Sequence, residues 1–173
     1  MGSSLSEQRQ QMGQAESLAS DSNMLRILVD ADACPVKEEI YKVAYRYEVP
    51  VTLVSNSGMR IPIHPLINQV IVSQGADAAD DYIAERADML AVVISADILL
   101  ADRCLKVDAT VIGPNGKSFT QNSIGSAIAT RALMVDLRAG GDVVGGPAPF
   151  TKTDRSRFLS TLDDTLVRMK RKT

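Results

Sequence analysis

Six aspartates in three short clusters are the residues of this sequence best suited to do chemistry. Asp30 and Asp32 stand in Val-Asp-Ala-Asp-Ala, and Asp77, Asp80 and Asp81 in Gly-Ala-Asp-Ala-Ala-Asp-Asp. Asp97 closes Ser-Ala-Asp. Carboxylate oxygens without His or Cys beside them are hard ligands that suit Mg²⁺ or Mn²⁺. A cation of that kind activates water and steadies charge on a phosphoryl group. All six are therefore candidate metal ligands. Asp77 lies three residues from Asp80 and four from Asp81, a spacing that groups the three on one helical face. Each cluster also has a plainer reading, because Asp at a helix start caps free N–H groups for about 0.5–2 kcal/mol. Convergence decides between the two. Like charges brought close must be hydrogen-bonded, protonated or neutralised by a cation.

The remaining reactive residues are few. Cys34 and Cys104 are the only cysteines, and His64 is the only histidine. Cys34 precedes Pro35 at a helix start, where a thiol pKa can fall, but neighbouring carboxylates oppose that and no His follows as a base. It reads as a packed, inert thiol. His64 reads as a loop residue. With one His and no CxxC pair, a structural zinc site lacks ligands.

Charge is unevenly spread. The net value is −2, yet residues 30–102 hold 12 acidic against 5 basic side chains, while residues 103–173 hold 6 against 12. Asn122, Arg131, Lys152 and Arg155 in the basic half, with the Gly145-Gly146-Pro147 loop, are candidate phosphate contacts through charge and backbone N–H groups. A solvated helix face explains them equally well. Arg168, Lys170, Arg171 and Lys172 read as a disordered basic tail at 168–173. Only seven aromatic residues occur (Tyr 4, Phe 3), too few for a broad base-stacking platform.

The elements that must position these residues follow from hydrophobic pattern. At 173 residues and 45% hydrophobic content, the chain is long and apolar enough for one packed domain, expected over residues 24–167. Residues 1–23 read as a disordered polar tail without the apolar middle of a signal peptide. No run is long and apolar enough to span a membrane. Two isolated thiols fit a reducing, cytoplasmic setting. Apolar strands are predicted at 25–30, 51–55, 69–73, 91–95 and 109–113. Helices are predicted from Pro35, over 77–87, after Asp97, over 122–138 and from Asp154. Pro114-Asn115-Gly116 predicts a small hairpin at the sheet edge. The alternation specifies an α/β fold: an open, mainly parallel sheet with helices on both faces. In such sheets the ligand crevice lies beyond the carboxyl ends of the strands, where the aspartates fall.

The segments DADACPVKEEI, GADAADDYIAERA, VISADILLA, the turn at Asn122 and GGPAPFTKTDRSRF together resemble the YaiI/YqxD family of bacterial proteins, from Leu25 to about Leu166. The tail at 1–23 departs from the family pattern. The resemblance implies a PIN-like domain, and many PIN-like domains are Mg²⁺- or Mn²⁺-dependent ribonucleases. It implies Asp30 and Asp97 as metal-facing carboxylates, with Asp80, Asp81 or Asp77 as the helical acid and Asp32 beside or just behind the cation. Asp30, Asp97, Asp80 and Asp81 become the candidate catalytic residues, with RNA a likelier substrate than DNA. Two alternatives stay open. One is a non-catalytic module of the same fold that binds nucleic acid or protein. The other is a haloacid-dehalogenase-type phosphatase, with Asp30 as nucleophile and Asp32 as acid/base. Its carboxylate pair belongs after the Ser95 strand, whereas Asp80 and Asp81 come before it.

Overall fold

The computed structural model describes residues 24–75, 77–139 and 150–172, with backbone alone over 131–139. The expected N-terminal tail and the Gly145-Gly146-Pro147 loop lie outside the described residues. The strands are β1 (Arg26–Asp30), β2 (Val51–Ser55), β3 (Ile67–Ile71), β4 (Ala91–Ile94) and β5 (Thr110–Ile112). The helices are α1 (Lys37–Tyr47), α2 (Ala78–Arg86), α3 (Ile98–Leu105), α4 (Gln121–Ala139) and α5 (Lys152–Lys172).

All five strands pair in parallel, in the order β3-β2-β1-β4-β5. Alternation along each strand sends side chains to two cores. Ile27, Val29, Leu53 and Ile94 face α1 and α5, where Ile40, Val43, Phe158, Leu162 and Leu166 close over them. Leu28, Val54, Val93 and Val111 face Ile83 of α2, Leu100 and Cys104 of α3 and Ile124 of α4. Helices thus cover both faces, as the alternating pattern requires. No described helix is long and apolar enough to cross a membrane.

The order places β1 beside β4, with Val29 opposite Ile94. The chain runs outward from β1 through β2 and β3, then returns to β4 on the other side. The gap between β1 and β4 is therefore the topological switch point, where the loops after neighbouring strands diverge and leave a crevice. Asp30 ends β1, and Ser95 and Asp97 follow β4.

Four features differ from the sequence reading. β3 lies two residues earlier than 69–73, because Val51 donates its N–H to the Leu66 carbonyl at 2.8 Å and sets the register there. An even shift leaves each side chain on its face. The edge hairpin shrinks to one antiparallel bridge, Ile112 to Ser118. The basic residues at 168–172 are not a disordered tail but the last turns of α5. The apolar stripe of Phe158, Leu162 and Leu166 continues to Met169, and Lys170 bonds the Tyr47 carbonyl, holding this end against α1. α5 itself begins two residues before Asp154. Thr151 and Asp154 cap it reciprocally: Thr151 N–H donates to Asp154 at 2.9 Å and Asp154 N–H to Thr151 Oγ1 at 3.1 Å.

Candidate metal and catalytic site

Asp30 leaves the sheet half-buried beneath the crevice. Ser95, itself buried, donates its hydroxyl to Asp30 Oδ2 at 3.0 Å and accepts the Asp97 N–H at 3.0 Å. One serine thereby fixes the end of β1 to the turn after β4. Asp97 caps α3, accepting from Leu99 and Leu100 N–H at 2.9 and 3.2 Å. The capping reading of Asp97 is correct, and it does not exclude a second role. Only one carboxylate oxygen receives those two bonds.

Asp80 reaches the same place from α2. Its pKa is pushed up to about 6, first by burial, then by the negative charges of Asp97 and Asp30, by a hydrogen bond with Asp97 and by Asp77. Asp30 is also raised, chiefly by burial and further by Asp32 and Asp97, against the stabilising Ser95 bond. Asp30, Asp80 and Asp97 therefore approach from three elements closely enough for their charges to act on one another, with Asp80 hydrogen-bonded to Asp97.

The other acids lie at the margin, Asp32 and Asp77 acting on Asp30 and Asp80 through charge alone. Asp81 is exposed and pairs with Arg103 at 2.8 Å. Asp77 is at the N-cap position of α2 without a side-chain capping bond. Asp32 is exposed and accepts the Asn56 N–H at 3.1 Å. The three acids of α2 do not act as one face. Successive residues step about 100° around a helix, and docking through Ala79, Tyr82 and Ile83 leaves Asp80 on the flank of the buried stripe while Asp77 and Asp81 point away. That stripe was readable in the sequence. Ser95 was the residue sequence reasoning missed, although Ser-Ala-Asp after an apolar strand carried the signal.

Among the candidate phosphate contacts, Arg155 is already partnered. It donates to the Pro35 carbonyl at 2.8 Å, on the loop that follows Asp32, and reaches Glu39 at 3.4 Å. Lys152 is exposed at the first turn of α5, and Asn122 is exposed at the first turn of α4. Arg131 lies in α4, and its side chain is outside the described residues. Cys34 is buried, and burial raises its thiol pKa, which opposes ionisation.

A family model described as "Uncharacterized BCR, YaiI/YqxD family" matches residues 28–168. The chain belongs to the YaiI/YqxD family. Similar relatives include a UPF0178 protein of Sphingopyxis alaskensis, 66% identical over 146 residues, covering 84% of this chain and 95% of the relative. A UPF0178 protein of Rhodopseudomonas palustris is 56% identical over 149 residues, covering 86% and 94%. No solved structure matches the chain. The span shared with these YaiI/YqxD relatives is long enough to take in β1, α2, α3 and the aspartates they carry.

The donors fit a hard cation: Asp30, Asp80 and Asp97 offer oxygen alone. They are not preassembled, since no group of three or more His, Cys, Asp or Glu among the described residues stands ready to hold a metal. Removing charge at Asp80 should therefore stabilise the cation-free protein. A carboxyl held near 6 in the fold, against 3.8 in the unfolded chain, favours folding fully below pH 3.8 and loses that contribution as pH rises through about 6. The full linkage is about 3 kcal/mol, reduced by partial exposure to about 1–2 kcal/mol. In urea unfolding, Asp80→Asn should match wild type near pH 4 and exceed it by that amount at pH 8. Equal stability at pH 8 would show that the three charges do not interact as described.

Proposed function

We propose that the crevice at the β1–β4 switch point is the active site of a Mg²⁺- or Mn²⁺-dependent phosphodiesterase acting on nucleic acid, RNA before DNA. The observation that carries this reading is the convergence of Asp30, Asp80 and Asp97 from three separate elements. Capping explains Asp97 but not three half-buried carboxylates brought within reach of one another's charge. Asp30, Asp80 and Asp97 would hold the cation, with Asp32 nearby. When bound, the cation supplies Lewis acidity to phosphoryl chemistry. The chain's own groups keep the ligands aimed: Ser95 orients Asp30, and the first turn of α3 fixes Asp97. The Asp80 proton must leave as the cation enters, so affinity should fall below about pH 6. Lys152 and Arg155 would meet substrate phosphates and offset the repulsion of the acids.

Thermal unfolding with Mn²⁺ or Mg²⁺ tests the binding half of this reading. The cation should raise the Tm of the wild type by mass action on the native state. Asp30→Asn should lose most of that shift while melting no lower in its absence. Equal shifts in both proteins would remove Asp30 from the ligand set. A non-catalytic binding module is the second reading, favoured by the absence of a preassembled ligand group among the described residues.

A further inference from the structure

A cavity of about 530 Å³ lies at the free edge of the sheet, between β3 and the helix-free crossover 56–66 that precedes it. None of its lining residues belongs to the aspartate cluster. Its volume is that of a small-molecule site, roughly 300–1,000 Å³. Met59, Ile61 and Ile67 supply an apolar wall.

The polar side chains of the wall, Arg60, His64, Asn68 and Gln69, are rich in donors. The wall contains no Asp or Glu, although the surrounding half of the chain is acidic. Among the described residues, Arg60 meets no carboxylate. His64 Nδ1 accepts the Leu66 N–H at 3.1 Å, which leaves the proton of the neutral ring on Nε2. Gln69 Oε1 accepts the Met59 N–H at 3.3 Å, which leaves its amide NH₂ unspent. Asn68, in the same wall, has a buried Nδ2 without an acceptor. The acceptor atoms of His64 and Gln69 are consumed internally, and their N–H groups remain.

We propose that this cavity binds a small organic anion, a carboxylate or phosphate monoester on an apolar body, with Arg60 as its counter-charge and Met59, Ile61 and Ile67 against the apolar portion. His64 and Gln69 would donate to the remaining oxygens. Isothermal titration of the full chain with octanoate and octyl phosphate tests this, with octylammonium and 1-octanol as controls. Binding of either anion with neither control binding comparably supports the proposal, and the order of the two anions tells carboxylate from phosphate. Arg60→Gln, at an exposed position, should melt like wild type and bind the preferred anion about tenfold or more weakly. Octylammonium or octanol binding as tightly as the anions would overturn the proposal. So would unchanged affinity in Arg60→Gln, or no binding of either anion.

Discussion

Asp97→Asn should reduce cation-dependent cleavage about a thousandfold, some 4 kcal/mol in the barrier, while leaving the fold and nucleic-acid affinity close to wild type. The fold is spared because Asn caps a helix as well as Asp. The bonds from Leu99 and Leu100 N–H to the side chain can persist through the amide oxygen. Affinity is spared because the proposed phosphate contacts, Lys152 and Arg155, lie on α5. What changes is the charge beside Asp30 and Asp80. Under the proposed reading, loss of that charge would lower cation affinity and relieve repulsion, so the cation-free protein should melt at or above the wild-type temperature. Comparing initial cleavage rates, Tm and nucleic-acid affinity in the two proteins checks all three. Wild-type turnover would remove Asp97 from the site, and a parallel loss of affinity would assign it to substrate binding instead.

Gly116→Ala should be the most destabilising small substitution outside the core, at about 2–4 kcal/mol. Gly116 adopts φ +83° at the tip of the turn after β5, a conformation that an L side chain rarely takes. A Cβ there would come within 2.5 Å of the backbone of Arg157 and Phe158, which cannot swing aside as a side chain can. The Gly116 carbonyl also accepts from Thr161 Oγ1 at 2.8 Å, so the tip is held between two turns of α5. Displacing it shifts the helix that carries Lys152 and Arg155. Calorimetry should show a Tm lower by roughly 5–12 °C. Gly125→Ala is the control. It lies in helix α4 with open space around its missing Cβ, and should gain about 0.5–1 kcal/mol. A Gly116→Ala protein as stable as wild type would mean that the turn and α5 do not pack as described.

The layered architecture was legible because buried parallel strands and amphipathic helices have different hydrophobic periods, and both are present here. LRILVD and AVVIS announce central strands, and both are buried along their length except at Asp30. The places of β2, β3 and β5 in the order β3-β2-β1-β4-β5 were not legible, since all the strands are apolar and nothing local says where each is inserted. The strands that end at Asp30 and Ser95 were expected side by side, from the βαβ alternation and the placement of the acids, and β1 does pair with β4. The end of β1 and the turn after β4 were identified as acid-bearing sites. That Asp80, rather than Asp81, joins them depends on how α2 docks through Ala79, Tyr82 and Ile83. The far end of α5 was misread because its charged residues mask a stripe that runs from Phe158 to Met169. Ser95 escaped because a small buried hydroxyl at a strand end has no periodicity to betray it, and its role exists only where β1 and β4 meet.

Cleavage of short mixed-sequence RNA and DNA by the purified chain, with Mg²⁺, Mn²⁺ or EDTA, tests most directly whether this crevice is a hydrolytic centre. The expected result is RNA shortened only when a divalent cation is present, faster than DNA, and left intact by Asp30→Asn under the same conditions. RNA and DNA that both remain whole with either cation, bound equally well by wild type and Asp30→Asn, would contradict a hydrolytic site and leave a binding module.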